Sequence, residues 1–237
     1  MIFHVLASDY DGTIAEQGRV ADATAAALAR VRESGRAVIL VTGRTLPDLR
    51  RVCADCETMF AAIVCENGAC LHLPATHETR ILGAAPEPTL LSDLGRRGVA
   101  FELGHSSIHT DATAAHEVLA AIRAAGVDRT LVFNRGSLML LPGGVTKGTG
   151  LQTALADVGT SFHNTVGIGD GENDHAFLRE CGYAVAVGDA VPALRDRADY
   201  VTRAPGPRGV VEFIEEHLLQ DLAGLVVHPE RDGSAGR

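Results

Sequence analysis

Near its N-terminus the chain runs Phe3-His4-Val5-Leu6-Ala7-Ser8-Asp9-Tyr10-Asp11-Gly12-Thr13. Residues 3–8 form a short apolar run that predicts a buried strand, and Asp9 and Asp11 follow where that strand ends. Side chains two residues apart on an extended segment point to the same side, so we expect both carboxylates to face one magnesium ion. Gly12 allows a sharp turn directly after them.

Short apolar runs alternate with helical patterns in both halves of the chain, which is typical of βαβ units and a parallel sheet. The predicted strands cover residues 3–8, 37–41, 61–65, 165–168 and 183–187. The predicted helices cover residues 22–34, 147–156, 174–180, 191–197 and 210–219, and a further helix begins after Thr45. We therefore predict an α/β fold with a doubly wound, Rossmann-like parallel sheet, whose ligands bind at the carboxyl ends of its strands.

The chain between these halves has a different pattern. Helical patterns near residues 89–97 and 114–125 are each followed by two strand-like runs, at 99–103 and 107–111, then at 130–134 and 137–141. This αββαββ order predicts a small α+β unit with an antiparallel sheet, inserted into the larger domain. The predicted organisation is a core of residues 1–82 and 146–222, an inserted cap of residues 83–145 and a flexible tail of residues 223–237.

Further polar residues follow predicted strands or begin a predicted helix. Thr42 follows the second strand, and Asp170 and Asp174 follow the strand of residues 165–168. Lys147 begins a helix, where the helix dipole disfavours a cation, so we expect an anionic partner nearby. The same dipole favours an aspartate in a first helical turn, which leaves a purely structural role open for Asp174.

These segments resemble the four motifs of the haloacid dehalogenase superfamily of phosphohydrolases, in the right order and across essentially the whole chain. They are Asp9-Tyr10-Asp11-Gly12-Thr13, Thr42-Gly43-Arg44, Lys147-Gly148 and Gly169-Asp170-Gly171-Glu172-Asn173-Asp174. The insertion is similar to the C2B cap of the Cof-type, or subclass IIB, branch, which includes sugar-phosphate phosphatases, a phosphoglycolate phosphatase and phosphomannomutases. Residues 66–69 also resemble a segment common in that branch.

The resemblance implies a phosphatase in which Asp9 attacks phosphorus and forms an aspartyl-phosphate. It implies that Asp11 protonates the leaving group and then deprotonates the hydrolytic water. The implied cofactor is Mg²⁺, held by the Asp9 side chain, the Asp11 backbone carbonyl, Asp170 and Asp174. Because the haloalkanoate dehalogenases of the superfamily lack the second aspartate, Asp11 favours phosphoryl transfer over carbon–halogen cleavage.

The remaining motif residues have implied roles at the phosphate. Thr42 would hydrogen-bond a phosphoryl oxygen, and Lys147 would neutralise the phosphoryl charge and orient Asp9. The predicted substrate-binding residues are Thr42, Gly43, Arg44, Lys147 and Asn173. The inserted unit adds candidates for substrate contact, although a lone His or Arg in a loop is more often only solvated. These candidates are His105, His109 and Arg135.

Bulk properties restrict the partners. A net charge of −9 and 4% aromatic residues argue against nucleic-acid binding, which needs a basic face. No apolar run approaches the roughly 18 residues that span a bilayer, and the N-terminus lacks the features of a signal peptide. We expect a cytoplasmic enzyme that acts on a small phosphorylated metabolite, with no nucleic-acid or membrane partner. The oligomeric state is left open.

The five cysteines are not spaced like a disulfide framework. Cys53 and Cys56 form the one Cys-x-x-Cys pair, but a structural zinc site needs four ligands and the sequence has no second such pair. His72 and His77 could complete a zinc site. We predict plain reduced thiols.

Two alternatives to the phosphatase stay open at this point. A phosphomutase would share the aspartyl-phosphate step and return the phosphoryl group to the substrate. A regulatory module without turnover, including one domain of a protein longer than residue 237, would keep the fold but not need the catalytic residues. Release of free phosphate from sugar phosphates separates the first alternative, and magnesium-dependent hydrolysis of an aryl phosphate separates the second.

Overall fold

Residues 2–226 of the chain are described by a computed structural model of the protein. Of the predicted tail of residues 223–237, the part from residue 227 onward lies outside the described residues. None of the helices within residues 2–226 combines the length and apolar composition needed to cross a lipid bilayer.

Fourteen strands and nine helices are described within residues 2–226. The strands are β1 (Val5–Ser8), β2 (Ala15–Glu16), β3 (Arg19–Val20), β4 (Ala37–Val41), β5 (Ala62–Cys65), β6 (Cys70–Leu73), β7 (Glu78–Ile81), β8 (Glu102–Leu103), β9 (Ile108–Asp111), β10 (Arg129–Asn134), β11 (Ser137–Pro142), β12 (Thr165–Gly169), β13 (Tyr183–Ala186) and β14 (Tyr200–Val201). The helices are α1 (Asp22–Glu33), α2 (Leu46–Val52), α3 (Cys56–Met59), α4 (Pro88–Arg96), α5 (Ala115–Ala125), α6 (Lys147–Val158), α7 (His175–Leu178), α8 (Pro192–Arg195) and α9 (Gly206–Glu216).

The central sheet has eight strands in the order β14-β13-β12-β1-β4-β5-β6-β7. Strands β14 to β5 are parallel, and β6 and β7 add an antiparallel edge. All residues of β1, β5 and β12 are buried, as expected for parallel strands covered by helices. The predicted doubly wound α/β fold is confirmed. The chain runs from β1 outward to β4 and β5, and later from β12 to β13 and β14, so the strand order reverses beside β1.

Two predicted helix starts are confirmed by their capping hydrogen bonds. The side chain of Thr45 accepts from the backbone N–H of Asp48 at the start of α2. The side chain of Thr146 accepts from the backbone N–H of Thr149 at the start of α6. The second cap matters for the site. It fixes the start of α6, and therefore the position from which the side chain of Lys147, the first residue of α6, projects.

The inserted segment forms its own antiparallel sheet, in the order β10-β11-β9-β8. With α4 and α5 it follows the predicted αββαββ order. Its buried core is separate from that of the central sheet and is built from Leu90, Leu94, Val99, Ile108, Val118, Ala121, Leu138 and Leu140. We call this unit the cap, and its boundaries at residues 83 and 145 stay a prediction.

The structure also contains elements that the sequence patterns do not predict. The β2–β3 hairpin and β14 consist of two-residue strands, which are too short to show an alternation. The β7 strand, Glu78-Thr79-Arg80-Ile81, is largely exposed at the sheet edge and lacks an apolar run. The α-helix predicted over residues 174–180 is shorter, because the turn Glu172–Asp174 is a 3₁₀ turn and α7 covers only His175–Leu178.

The prediction that Cys53 and Cys56 are reduced thiols is wrong, because a disulfide joins them. Cys53 directly follows α2 and Cys56 begins α3, and the tight turn between these helices brings the two Cα atoms to 5.3 Å, within bonding range. The zinc alternative fails as well. His72 and His77 lie beside Glu57, at 3.5 and 3.9 Å, and neither belongs to a metal-ligating group among residues 2–226.

Gly68 is where the segment after β5 meets the start of α6. Its φ of +105° is a conformation that L side chains rarely adopt, and a Cβ at this position would overlap the carbonyl oxygen of Thr146. Only a residue without a side chain lets α6 approach β5 this closely. The position of Lys147 at the start of α6 therefore depends on Gly68.

We expect Gly68→Ala to lower the free energy of unfolding by roughly 2–4 kcal/mol, because the new methyl group forces both a strained backbone and a displacement of α6. The control is Gly95→Ala in α4, where a Cβ meets open space and a change of less than about 1 kcal/mol is expected. Urea unfolding of both variants makes the measurement. Equal midpoints for the two variants would contradict the close approach.

Candidate active site

Three neighbouring strands end at one edge of the central sheet, and each is followed by a predicted site residue. Asp9 follows β1, Thr42 follows β4 and Asp170 follows β12. Backbone hydrogen bonds continue the sheet at two of these residues, because Asp9 N donates to the carbonyl of Ile168 at 3.0 Å and Thr42 N to that of Val64 at 2.8 Å. The hydrogen bonds of the sheet therefore fix the backbone of Asp9 and Thr42.

Four of the predicted residues meet in one buried cluster. Asp9, Asp170 and Asp174 each offer a carboxylate oxygen, and these oxygens lie within 4.8 Å of one another. Lys147 Nζ donates to Asp9 Oδ1 and, at 2.6 Å, to Asp174 Oδ1. All four residues are buried. The anionic partner expected for Lys147 is thus a pair of aspartates.

Fixed donors hold these carboxylates in place. Asp174 Oδ2 accepts from the backbone N–H groups of Asp170 and Gly171, both at 2.9 Å, so Asp174 has a structural role as well as its contact with Lys147. Thr13 Oγ1 lies 2.8 Å from Asp170 Oδ1 and 3.3 Å from Asp9 Oδ2. The sequence analysis assigned Thr13 no role, and its place in the first motif was the only signal for one.

Burial and crowding of like charges shape the protonation of the cluster. Burial, together with Asp174, raises the pKa of Asp9 well above its usual value, although Lys147 opposes the shift. Burial and Asp174 likewise raise the pKa of Asp170 to about 6. Burial alone would lower the pKa of Lys147, but Asp174 and Asp9 outweigh it and hold that pKa above its usual value. Lys147 is therefore a cation. Its single positive charge is not enough to balance the three buried carboxylates.

The donor set fits a hard divalent cation. Three carboxylates supply oxygen ligands, which Mg²⁺ prefers. Asp170 Oδ2 is buried and accepts no hydrogen bond among the described residues, although the guanidinium group of Arg135 lies against it. Gly12 keeps the space beside this oxygen open, since a Cβ there would lie 2.5 Å from it. Asp9, Asp170 and Asp174 are the residues that could hold the ion.

The expectation that the side chains of Asp9 and Asp11 face one ion is wrong. The chain leaves the extended conformation at Tyr10, whose carbonyl accepts from the amides of the next turn, and it bends at Gly12 with a φ of +81°. Alternation no longer applies once the strand has ended. The carboxylate of Asp11 lies outside the three-carboxylate cluster and accepts from Arg44 at 2.7 and 2.8 Å. Its implied backbone contact with the metal stays a prediction.

A cleft of about 400 Å³ lies between the core and the cap, and Asp9 and Asp11 form part of its wall. Four predicted residues line it as well: Thr42, Gly43, Arg44 and Asn173. Lys147 does not line this cleft and reaches it only through Asp9. It lines a larger, mostly apolar cavity of about 800 Å³ instead.

Arg44 and Asn173 are engaged with neighbouring side chains. The guanidinium group of Arg44 contacts the carboxylates of both Asp11 and Asp48, and these contacts hold its pKa above the usual value despite burial. Asn173 Nδ2 donates to Asn67 Oδ1 at 3.0 Å. Both residues line the cleft, but Arg44 can bind substrate only by giving up part of this pairing.

The three cap candidates have different surroundings. Arg135 contacts Asp170, and His105 contacts Glu66 through Nδ1 at 3.1 Å. His109 lines the cleft together with Asp9. Of these three candidates, the structure thus brings only His109 and Arg135 to the side of the cap that faces Asp9 and Asp170.

Glu66 is a residue that the sequence analysis left without a role. It is fully buried in the segment after β5, yet its carboxylate binds the cap, accepting from the amides of Ser106 and Ser107 at 3.1 and 3.2 Å. The only signal was the resemblance of residues 66–69 to a segment of the Cof-type branch.

Comparisons with known proteins agree with this geometry. The family model of the haloacid dehalogenase-like hydrolases matches residues 6–84 and 101–214. A phosphoglycolate phosphatase of Methanothermobacter thermautotrophicus is 33% identical over 227 residues, which cover 90% of this chain and 98% of that protein. A phosphoglycolate phosphatase of Aeropyrum pernix is 31% identical over 230 residues, which cover 90% and 93%. A solved structure described as a haloacid dehalogenase subclass IIB sugar phosphatase matches with a TM-score of 0.71 at 20% identity, over 88% of this chain and 96% of that chain.

The match to the family model includes all four motif segments, at residues 9–13, 42–44, 147–148 and 169–174. The similarity to the subclass IIB structure is one of fold, and it extends over the cap as well as the core. The resemblance to the Cof-type branch that the motifs indicated is confirmed. The chain belongs to the haloacid dehalogenase-like hydrolase family.

Proposed function

We propose that the chain is a magnesium-dependent phosphatase that hydrolyses a small phosphorylated metabolite, a sugar phosphate or a phosphoglycolate-like ester, through an aspartyl-phosphate on Asp9. The observation that carries the proposal is the position of Asp9. Asp9 lies in the wall of the cleft, at the point where three parallel strands end. Lys147, which does not line the cleft, donates a hydrogen bond to the carboxylate of Asp9. A rigid, oriented carboxylate is what in-line attack on phosphorus needs.

The chain's own residues divide the work of phosphoryl transfer. Lys147 orients Asp9 and offsets negative charge as the phosphoryl group approaches. Thr42 lies in the wall of the same cleft, where its hydroxyl can donate to a phosphoryl oxygen. Asp170 and Asp174, with Asp9, would hold the magnesium ion, which when bound would supply positive charge to the phosphate and to the crowded carboxylates.

Asp11 is the proposed general acid and base. Its carboxylate is about half exposed and lies in the cleft wall beside Asp9, where a leaving-group oxygen or a water molecule can reach it. Arg44 holds the carboxylate from the other side and fixes its orientation. A proton can therefore be delivered from Asp11 without moving the nucleophile.

The relatives and the cleft support a small substrate. Two relatives are phosphoglycolate phosphatases, and a structural neighbour is a sugar phosphatase. A cleft of about 400 Å³ is at the small end of the range for ligand sites, which suits a compact metabolite. A cytoplasmic location and the lack of nucleic-acid and membrane partners stay predictions from the sequence.

Asp9→Asn should abolish turnover, because the amide nearly matches the carboxylate in shape but is a very poor nucleophile. The measurement is free phosphate released from p-nitrophenyl phosphate and a panel of sugar phosphates, with circular dichroism to check the fold. Asp196→Asn is the matched control at an exposed position and should keep wild-type activity. Residual activity of Asp9→Asn above about a few per cent of wild type would count against Asp9 as the nucleophile. Isomerisation of a hexose phosphate without phosphate release would favour the mutase instead.

Activity should disappear in excess EDTA and return when magnesium is added in excess of the chelator, because the buried carboxylates need the cation to accept a phosphate dianion. The assay is the same release of phosphate, repeated after dialysis. Full activity in the chelator would remove the metal from the mechanism.

Asp170→Asn should remove the stabilisation by magnesium without lowering the stability of the metal-free protein. The pKa of Asp170, about 6 in the folded protein against 3.8 ordinarily, means that the folded state holds the proton more tightly. The metal-free wild type therefore loses stability, by about 2 kcal/mol, as pH rises from about 4 to about 6. Asp170→Asn lacks this loss, so its metal-free Tm at about pH 7.5 should equal or exceed that of wild type.

Magnesium, by contrast, should raise the Tm of wild type and of Asp196→Asn but not that of Asp170→Asn. Differential scanning fluorimetry at about pH 5 and about pH 7.5, with EDTA or with magnesium, measures both effects. An equal magnesium-dependent rise in Asp170→Asn and wild type would place the ion elsewhere.

A further inference from the structure

A chain of hydrogen bonds runs from the core into the cap and ends at the cleft. Its first member is Glu66, whose Oε1 accepts from His105 and whose Oε2 accepts from Ser106 and Ser107. Ser107 Oγ also donates to Glu66 Oε2, at 2.7 Å. Ser107 Oγ in turn lies 2.7 Å from His109 Nε2.

The charge of Glu66 fixes the direction of these hydrogen bonds. Burial would raise the pKa of Glu66, but the hydrogen bonds from His105, Ser107 and Ser106 outweigh burial and hold that pKa below its usual value. Glu66 is consequently a carboxylate that only accepts. The single hydroxyl proton of Ser107 is therefore committed to Glu66.

It follows that Ser107 can only accept from His109, so the proton of the His109 ring is on Nε2. The other ring nitrogen, Nδ1, makes no hydrogen bond to the residues of segment 2–226. His109 lies on β9, and its side chain lines the cleft that contains Asp9. Nδ1 is thus the part of the ring that is free to meet a bound molecule.

The ring is neutral at pH 7. Burial lowers the pKa of His109 below its usual value, although the carboxylates of Glu66, Glu102 and Asp48 oppose the shift. A neutral ring protonated on Nε2 presents a lone pair at Nδ1, which accepts a hydrogen bond but cannot donate one.

The surroundings of His109 disfavour a second anion in the cleft. Glu102 and Asp48 line the cleft with it, and so does Asp11. Arg44 is the one permanently charged cation in that wall among the described residues, and it is already paired with both Asp11 and Asp48. A carboxylate on the organic part of a substrate would find no unpaired cation here, whereas a hydroxyl would find an acceptor.

We propose that His109 is the specificity-determining residue of the cap, and that its Nδ1 accepts a hydrogen bond from a hydroxyl group of the substrate's organic part. The inference rests on the proposed phosphatase function and narrows it to hydroxylated phosphate esters in preference to carboxylated ones. Acidification reverses this preference, because protonated His109 donates from Nδ1 and attracts a carboxylate.

The test uses three two-carbon esters that differ in one group: ethyl phosphate, 2-hydroxyethyl phosphate and phosphoglycolate. A second set with three carbons, propyl phosphate, 3-hydroxypropyl phosphate and 3-phosphooxypropanoate, allows for a longer reach. The readout is the ratio of kcat/KM values within each set, measured with magnesium in a series from about pH 7.5 down to about pH 4.5, well below the usual histidine pKa, because burial lowers the pKa of His109. Ratios cancel whatever the shared catalytic groups contribute to the pH profile.

We expect wild type at the higher pH to prefer the hydroxylated ester over the unsubstituted one by about fivefold or more in one of the two sets. His109→Ala should remove this preference, chiefly through KM. His109→Asn should retain part of the preference, because its Oδ1 replaces the acceptor at Nδ1. His109→Gln should lose it, because its amide nitrogen replaces Nε2 and contacts Ser107 instead.

Lower pH should shift wild type toward the carboxylated ester and leave the ratios of His109→Asn and His109→Gln unchanged, since neither amide titrates. His116→Gln is the control, because that histidine is almost fully exposed on α5 and should behave like wild type. The proposal is overturned if wild type hydrolyses all the esters without a hydroxyl preference, or if Asn and Gln at position 109 give the same ratios. No hydrolysis of any ester by wild type would instead overturn the proposed function.

Discussion

The site depends on one buried ammonium group held between carboxylates. Lys147 donates to Asp9 and Asp174 where burial alone would remove its charge, and it keeps the charge only because both partners are anions. The compensation is incomplete, since Asp170 adds a third buried carboxylate to the same cluster. Burial, and after it this excess of negative charge, raises the pKa values of Asp9 and Asp170. A divalent cation, and then a phosphate bound to it, are the species that such a cluster accommodates.

The fold supplies this cluster at little cost in conformational freedom. The carboxyl ends of β1, β4 and β12 meet beside the reversal of strand order, so backbone hydrogen bonds of the sheet already fix Asp9 and Thr42. Lys147 arrives from a helix, and its approach requires Gly68, where any side chain would collide with the residue that caps the helix. The charged groups are therefore held by main-chain geometry, and they do not have to be ordered by the substrate.

Residues whose position follows from regular structure could be predicted from the sequence. Asp9, Thr42 and Asp170 follow strands, and Lys147 begins a capped helix, so strand and helix patterns place all four. The direction of the Asp11 side chain could not be predicted. It is decided by a turn at Gly12 and by pairing with Arg44, 33 residues away, and neither is visible in a strand alternation.

Glu66 could not be predicted for a related reason. It is a fully buried acid with a φ of +51°, which is unfavourable until a partner segment surrounds it. That partner is the cap loop of residues 104–107, about forty residues away, and no local pattern connects the two. Prediction from the sequence therefore fails where a residue owes its conformation to a contact between the core and the cap.

The same contact constrains how the cap can move. Separating the loop of residues 104–107 from Glu66 would leave a buried carboxylate without its hydrogen bonds, which costs several kcal/mol unless water replaces every donor. Gly104 makes the contact tighter still, because a Cβ there would overlap the Glu66 carboxylate. Opening of the cleft is consequently easier by bending elsewhere in the cap than by detaching this loop. His109, two residues beyond Ser107 and in contact with it, is thereby tied to the core through Glu66, and a residue held in this way can discriminate between leaving groups.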